Sequence, residues 1–432
     1  AVGLRVGSAE VDITPTGPVA LAGNFSTRVS KMHDTPIVAA ALAIEADLGS
    51  AVREYWIVVS CDLVAIRDGV QQRFRERLQP RLPSVDMRKV LLTATHTHTA
   101  PITREVEEGR YKFDLPKEGT VTPTEYMEFL LNRLVDAAVR AWESRSAAGV
   151  SWTLGHASVG HNRRAVYSDG HAAMYGKTNT AQFRGLEASE DSGVESLFFW
   201  GPGGKLKAIA INLACPAPEV EGKKTLDADF WHDVREQLRA KLGQPEVPIL
   251  GWTSAAGDQS PHRLYRKAAE DRMAEARGLT YKQELGRRIS DAVIDTLDVA
   301  RKDIRTDVVF AHTVVDLKLP PRRISAREYQ LSKVSLGGWM QKKDLFSQTM
   351  AQREREVLRR YEQAETEPPY LMEMHALRIG DIAIATNPFE LFLDYGVQIK
   401  ARSQALQTFL IQHAGNAGLY LPTEKAIEGG SY

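Results

Sequence analysis

The chain has 432 residues, of which 43% are hydrophobic and 25% charged, as in ordinary globular proteins. Lysine plus arginine equals aspartate plus glutamate at 55 each, so the charge balance does not favour nucleic acid or an anionic membrane as a partner. No run of about 18 apolar residues is present, so we expect no stable membrane insertion. The two cysteines, Cys61 and Cys215, permit one disulfide but no disulfide framework.

The first third of the chain alternates predicted strands with predicted helices. Apolar runs predict strands at 6–13, 38–44, 55–60 and 90–92. A helix is predicted from about residue 68 to Leu78, since Pro80 then closes it. A second helix, over 125–145, is amphipathic. This order of elements is typical of an α/β fold.

The rest of the chain continues the pattern. We predict a hairpin of strands 198–200 and 206–213, a helix at 230–242, a strand at 248–252, a helical region at 263–300, strands at 376–379 and 382–386, and a helix that opens at 387–390. A charged segment near 327–365 is predicted to be helical, and we interpret it as an insertion packed over a cleft. No linker is evident, so we predict one α/β unit over 1–432, with a mixed sheet core flanked by helices.

A His-x-His pair is the most informative motif of the sequence. Thr95-His96-Thr97-His98 directly follows the apolar run at 90–92. Side chains two apart on a strand point to the same face, so two imidazoles would converge on one point. This arrangement suits a zinc site, or a metal ligand with an adjacent base. The alternative is a pair of surface histidines in a threonine-rich turn.

Other polar residues also follow apolar strands. They are Asp62, Cys215, Ser260 and Glu390. Active sites of open α/β sheets lie at the carboxyl ends of strands, so these residues and the histidine pair are expected at one site. Alternatively, Asp62 caps the next helix and Ser260, which precedes a proline, is a turn residue. No G-x-S-x-G elbow surrounds Ser260, so a serine-hydrolase triad is not indicated.

These motifs together carry a family resemblance. The sequence resembles the N-terminal catalytic domain of the neutral (non-lysosomal) ceramidase family over nearly its full length, as a divergent member. The matching segments are Val6–Thr14 with Ala22-Gly23 following, Thr95–His98, Asn162-Arg163, Ala256–Pro261, Glu390 after its proline-containing turn, and the pair Tyr420 and Tyr432. The chain ends at Tyr432, so no counterpart of the family's C-terminal β-sandwich domain is expected.

The resemblance implies a catalytic zinc held by His96, Glu390 and Tyr432. The family's other zinc histidine lies in a stretch that reads Ala-Cys-Pro here, with Pro216 at the place of the histidine. Since a proline side chain binds no metal, the site recruits another ligand or is lost. Cys215 suits zinc as a thiolate, or it is simply a small buried apolar residue. Further replacements within reach are Asp227, Asp229 and His232.

The resemblance also implies the catalytic roles. His98 lies beside the reacting group and would shuttle a proton. Arg163 would hold a substrate oxygen, and Ser260 and Tyr420 would position or attack the acyl carbon. We add Asp62 to this set because it also follows a strand.

We therefore expect a metal-dependent hydrolase that cleaves an amide (N-acyl) bond. The charged 327–365 element and the altered zinc ligands favour a polar small-molecule substrate over ceramide. One alternative is a glycan-processing hydrolase, glycosidase or esterase, that pairs the carboxylates of Asp62, Asp258 and Glu390. Another is a non-catalytic ligand-binding protein whose metal site has decayed. The start at Ala1 fits a secreted or periplasmic chain whose signal peptide has been removed, or a cloning boundary.

Overall fold

The fold is an α/β arrangement whose strands form several sheets. The structure is a computed structural model and describes residues 2–49, 53–67, 69–104, 115–116 and 118–431. The strands are β1 (Val2–Asp12), β2 (Val19–Leu21), β3 (Arg28–Ser30), β4 (Val38–Asp47), β5 (Arg53–Cys61), β6 (Val90–Ala94), β7 (Ser146–His156), β8 (His161–Asn162), β9 (Arg164–Tyr167), β10 (Ala172–Met174), β11 (Phe183–Leu186), β12 (Gly193–Trp200), β13 (Leu206–Leu213), β14 (Ile249–Thr253), β15 (Gln259–Ser260), β16 (Asp307–Val308), β17 (Phe310–Leu319), β18 (Tyr370–Ile379), β19 (Ile382–Thr386), β20 (Phe389–Leu391), β21 (Gln407–Ile411) and β22 (Leu419–Leu421).

The helices cover the outside of these sheets. They are α1 (Val70–Leu78), α2 (Pro123–Glu143), α3 (Phe230–Leu242), α4 (Lys267–Ala276), α5 (Tyr281–Asp295), α6 (Leu297–Lys302), α7 (Ala326–Met340), α8 (Leu345–Glu362), α9 (Leu393–Arg402) and α10 (Glu424–Gly429). Thr122 and Glu125 form a capping box at the start of α2, which satisfies the free N–H groups there. The predicted mixed sheet flanked by helices is confirmed.

Two sheets form the centre of the molecule. Among the described residues, the largest sheet has nine strands in the order β14-β13-β12-β7-β1-β4-β5-β6, with β16 paired to β1. A four-stranded sheet has the order β17-β18-β19-β21. Trp56 and Trp252 of the large sheet pack against each other, and Trp252 packs against Phe409 of the smaller sheet, all within one buried apolar layer. On the other side, α2 packs against β1, β4 and β5, so these strands are covered on both faces, which explains their near-continuous apolar runs.

Parallel strand pairs place the polar strand ends together. The pairs β5–β6, β13–β14 and β19–β21 are parallel. Backbone hydrogen bonds tie their carboxyl ends to one another, from Gln412 N to Thr253 O (2.9 Å) and from Ala94 N to His413 O (3.2 Å). The segments that follow these strands therefore meet at one place, as the sequence predicts.

One predicted element is wrong in type. Residues 387–390 were expected to open a helix, but Phe389–Leu391 forms a short strand that pairs in parallel with β22, with Glu390 opposite Tyr420. The helix α9 begins only at Leu393. The partner strand lies about 30 residues further along the chain, so local sequence patterns do not reveal this pairing.

The charged element near 327–365 consists of α7 and α8, as predicted. The two helices pack through the stacked rings of Tyr329 and Tyr361, whose centroids are 4.3 Å apart. Phe346 of α8 packs edge-on against Phe25 at 5.6 Å. The outer face of α7 is not only charged, because Val334 is 78% exposed there.

Two findings concern membranes and disulfides. Among the described residues, no helix is both long and apolar enough to span a bilayer. Cys61 and Cys215 are both buried with free thiols, so the disulfide that the sequence permits is not formed.

Asp62 has a structural role in the core. Its oxygens lie 2.7 and 3.0 Å from the guanidinium of Arg235, and both side chains are buried. The same carboxylate accepts the N–H of Val38 at 3.0 Å and the hydroxyl of Thr95 at 3.3 Å. The structure therefore does not bring Asp62 to the cleft described below, and the N-cap of α1 is Gly69 instead.

Asp62→Asn should destabilise the protein, because it leaves the buried Arg235 charge uncompensated. Breaking a buried ion pair typically costs about 3–5 kcal/mol in the free energy of unfolding. Denaturant unfolding measures this loss. The control is Asp316→Asn, which breaks an exposed pair with Arg88 and should cost less than about 1 kcal/mol. A stable Asp62→Asn protein would contradict this assignment.

Candidate metal centre and active cleft

A cleft opens where the parallel strand ends meet. Its floor is formed by His96, His98, Glu390, His413 and Tyr420. One wall is formed by the polar side chain of Arg163 together with Pro216, Pro218 and Gly257. The other wall is mainly apolar and is completed by Thr349 from α8: its members are Phe25, Val64, Ala65, Ala417 and Leu419, together with Arg67. The inserted helical pair therefore contributes to the cleft, as predicted.

His96 is held so that one nitrogen faces the cleft. Its backbone N–H donates to Leu63 O at 3.0 Å, and its Nδ1 lies 2.6 Å from the carbonyl oxygen of Val64. A carbonyl only accepts, so Nδ1 carries the proton and Nε2 keeps its lone pair. The residue adopts a left-handed backbone with φ of 66°. This strained conformation is typical of functional positions.

The predicted ligands His96 and Glu390 are brought together, with a third donor beside them. His96 Nε2 lies 3.2 Å from Glu390 Oε1. These two residues and His413 offer ligand atoms that all lie within 4.8 Å of one another. Ligand atoms of a tetrahedral zinc with bonds of 2.0–2.1 Å lie about 3.3 Å apart. Two imidazoles and one carboxylate are donors that suit zinc, and the 3.2 Å between His96 and Glu390 matches the spacing of zinc ligands.

His413 was missed by the sequence reasoning. It follows β21 by two residues and therefore carries the same signal, a polar residue at a strand end, that selected the others. Its ring stacks on that of His96, with centroids 4.3 Å apart. The amide Nε2 of Gln412 lies 3.1 Å from His413 Nε2. The amide N–H only donates, so Nδ1 of the neutral ring carries the proton and a cation would take the Nε2 lone pair in place of the amide.

Burial keeps the imidazoles neutral. It lowers the pKa of His413 to about 3, with smaller contributions from His98 and Arg67. Burial likewise holds the pKa of His96 well below its usual value, and the neighbouring His413 adds to this. Burial raises the pKa of Glu390, although the positive Arg163 opposes it. Neutral imidazoles with free lone pairs are the form that binds a metal.

His98 lies next to the donor cluster. Its Nε2 is 3.1 Å from His96 Nε2, and its Nδ1 is 3.1 Å from an oxygen of Glu221. Gly23 packs against the ring, where a Cβ would come within 2.5 Å of His98 Cγ. The Gly23 φ of 100° also disfavours other residues. Glycine at this position therefore makes room for His98.

Arg163 in the polar wall is bonded to Tyr420 on the floor of the cleft. The Arg163 guanidinium donates to Gly257 O at 2.8 Å, to the Tyr420 hydroxyl at 3.0 Å and to the Tyr175 hydroxyl at 3.0 Å. Tyr175 was not singled out from the sequence, since no motif marks it. These bonds fix the direction in which the guanidinium points.

Ser260 lies behind this wall instead of in the cleft. Its side chain is fully buried. Its hydroxyl oxygen accepts the Tyr175 O–H at 3.0 Å and the His262 N–H at 3.1 Å. The expected attack of Ser260 on an acyl carbon does not fit this placement, and the contacts indicate that Ser260 positions Tyr175 and, through it, Arg163.

The proposed replacements for the missing histidine lie outside the donor cluster. The Cys215 thiol points to the carbonyls of Val159 and Pro216, and burial raises its pKa well above its usual value. A buried protonated thiol is a poor metal ligand. The structure therefore favours the interpretation of Cys215 as a small buried apolar residue. Asp229 caps α3, Asp227 pairs with Lys282 and His232 lies within α3. The predicted ligand Tyr432 lies outside the described residues.

The three carboxylates that glycoside cleavage would need, Asp62, Asp258 and Glu390, do not lie together in the cleft. Asp258 accepts the N–H of Leu393 at 2.8 Å and the amide of Asn162 at 3.1 Å, and Asp62 is bound to Arg235. Only Glu390 of the three lines the cleft.

No protein-family model matches the sequence, and no curated protein matches it. Neutral ceramidase from Pseudomonas aeruginosa is similar in structure, with a TM-score of 0.71 and 16% identity over 100% of this chain and 70% of that one. A ceramidase complexed with C2 is similar too, with a TM-score of 0.69 and 15% identity over 100% of this chain and 71% of that one. The chain therefore has the neutral ceramidase fold, as its motifs predict.

Proposed function

We propose that this protein is a metal-dependent hydrolase that cleaves an N-acyl amide bond. The observation that carries the proposal is the cluster of His96, Glu390 and His413 on the floor of a cleft. His98 and Arg163 line the same cleft. A donor cluster beside a base and a fixed cation is the arrangement that metal-assisted acyl hydrolysis needs.

His96, Glu390 and His413 would hold the metal. When bound, zinc supplies Lewis acidity and lowers the pKa of a bound water. The lone pair of His96 Nε2 is available for this because its other nitrogen donates to Val64 O. The intact donor set argues against a decayed site, since His413 supplies an imidazole that Pro216 does not.

The other residues of the cleft act on the substrate. His98 takes up and returns a proton through Nε2. Arg163 and Tyr420 hold the oxygen of the scissile carbonyl as negative charge develops on it. The guanidinium is already fixed by Gly257 and Tyr175, so little reorganisation is needed. We prefer amide hydrolysis to glycoside cleavage because Asp62 and Asp258 bind buried partners.

The walls of the cleft suggest the class of substrate. The apolar wall of Phe25, Val64 and Leu419 suits an acyl group, whereas Arg67 on the same side suits a polar or anionic head. We therefore propose a water-soluble N-acyl compound as the preferred small-molecule substrate.

Zinc binding tests the ligand assignment. We expect the protein to bind one zinc ion, and His413→Ala and Glu390→Ala each to weaken binding by at least about 100-fold, since even outer-shell partners cost 10–100-fold. Equilibrium dialysis with elemental analysis measures this. The control Cys215→Ala should bind zinc like the wild type. Loss of zinc in Cys215→Ala with retention in His413→Ala would contradict the assignment.

Two variants separate the roles of Arg163 and Ser260 in hydrolysis. Arg163→Ala should lower turnover by about 10²-fold or more, because it removes a fixed donor to the developing charge. Ser260→Ala removes the two hydrogen bonds that this hydroxyl accepts, but only the one from Tyr175, worth about 1 kcal/mol, supports Arg163, so turnover should fall less than about tenfold. Arg184→Ala, a surface variant, is the control for the charge change. A loss of about 10⁴-fold or more in Ser260→Ala would make that serine the nucleophile.

A substrate panel tests the reaction class. Purified protein should hydrolyse water-soluble N-acyl compounds in preference to ceramide and to glycosides, because charged groups line the cleft beside its apolar wall. Each assay is run with and without a chelator, and the N-acyl activity should disappear when zinc is removed. Efficient, chelator-sensitive cleavage of ceramide with the soluble compounds inert would overturn the substrate proposal. Zinc binding without any hydrolysis would favour the ligand-binding alternative.

A further inference from the structure

The segment that follows β5 carries a cation into the cleft. Arg67 lines the cleft on the side of its apolar wall, together with Val64 and Ala65. Ile66, which precedes Arg67, is fully buried, and the Arg67 carbonyl accepts the N–H of Val70 at the start of α1 at 3.1 Å. The backbone of Arg67 is therefore held on both sides, while its side chain lies at the surface of the cleft. No motif of the sequence marks this arginine.

The same segment is bonded to the donor cluster. Its Leu63 carbonyl accepts the backbone N–H of His96 at 3.0 Å, so the segment and the histidine keep one relative position. The charge of Arg67 reaches two of the donors. Burial raises the pKa of Glu390, and Arg163 and Arg67 are among the charges that oppose the rise. Burial lowers the pKa of His413 to about 3, and Arg67 contributes to this lowering.

The lining of the cleft carries more positive than negative charge. Among the described residues that line it, Arg67 and Arg163 are the arginines and Glu390 has the only carboxylate. A divalent cation at the donor cluster would add two further positive charges. The field in the cleft therefore attracts a ligand with a negative charge and repels a cationic one.

The two arginines lie in different walls and differ in what they can bind. Arg163 is fixed by the Gly257 carbonyl and by the hydroxyls of Tyr175 and Tyr420, in the direction that suits the scissile carbonyl. Arg67 lies in the other wall and is only half-buried, so a ligand in the cleft can reach it. A planar guanidinium binds a carboxylate through two parallel hydrogen bonds. A substrate with a carboxylate beside its amide bond would use both walls.

We propose that Arg67 is a specificity-determining residue that binds the carboxylate of the substrate's head group, so that the preferred substrates are N-acyl amino acids. The acyl chain lies along the apolar wall of Phe25 and Leu419. In the reaction, water adds to the acyl carbon, the C–N bond breaks and the nitrogen takes a proton. The products are a carboxylic acid and a free amino acid. The hydrolysis rests on the proposed function, whereas the preference for a carboxylate does not.

Binding of non-hydrolysable analogues tests this preference without turnover. The probes are octylsulfonylglycine, whose head group carries a carboxylate, and its neutral counterpart octylsulfonylglycinamide. Calorimetric titration of the zinc-treated full chain measures both dissociation constants. Wild type should bind the carboxylate about 10-fold or more tightly than the amide, because a hydrogen-bonded charge pair is gained. Arg67→Gln should abolish this difference, and Arg67→Lys should keep part of it.

The controls separate Arg67 from the general charge of the protein. Arg184→Gln removes an exposed arginine that does not line the cleft and should leave the preference unchanged. The preference of the wild type should also weaken at high salt, since Arg67 is partly exposed. Arg67→Met, which keeps the apolar stem of the side chain, replaces Arg67→Gln if that variant fails to fold. Equal binding of the two probes by wild type, or a preference that survives in Arg67→Gln, would overturn the proposal.

Hydrolysis supplies a second readout. Wild type should cleave octanoylglycine with a kcat/KM about 10-fold or more above that for octanoylglycinamide, and Arg67→Gln should bring the two values together. The change should appear mainly in KM, because Arg67 binds the head group equally before and during the reaction. A protein that prefers the carboxylate probe but hydrolyses neither amide would refute the proposed function and support the role of Arg67. Hydrolysis of both amides with no preference would refute the role of Arg67 alone.

Discussion

The junction between the two central sheets brings together the strand ends next to which the donor atoms of the cleft lie. Asn212 at the end of β13 donates to carbonyls of both Trp252 and Leu410, and it accepts the Leu410 N–H. One side chain therefore joins β13 and β14 of the large sheet to β21 of the smaller one. Apolar packing alone would let the sheets slide, whereas buried hydrogen bonds that must be satisfied set one register. His96 and His413 lie just after strands that end at this junction, and the strand that holds Glu390 is tied to it by the bond from Leu391 N–H to the Gln412 side chain at 2.9 Å.

The same junction bears on the proposed metal centre, in which Pro216 cannot be a ligand. The ends of β13 and β21 lie side by side, and Pro216 and His413 line the same cleft. In the proposed metal centre, His413 after β21 offers an imidazole that Pro216 after β13 does not. A metal centre needs donor atoms at given positions, not at given places in the chain.

Backbone strain is concentrated at the cleft. His96, His413 and Tyr175 all have positive φ, at 66°, 55° and 53°. Such conformations cost of the order of 1–3 kcal/mol each for non-glycine residues. They persist because the backbone groups around them are bonded, for example His96 N to Leu63 O and Tyr175 N to Arg163 O. The buried sheets thus stabilise a rigid arrangement of side chains around an open space.

The sequence by itself determined the α/β class, most strands and helices, and the pairing of His96 with Glu390 at one site. It could do so because apolar periodicity and polar strand ends are local signals. The tertiary structure decided what depends on contacts between distant segments. It placed His413 among the donors, Glu221 behind His98 and Ser260 behind Arg163, and it tied Asp62 to Arg235. In each case the partner lies far away in the chain, and only packing determines whether a polar side chain meets the cleft or another buried group.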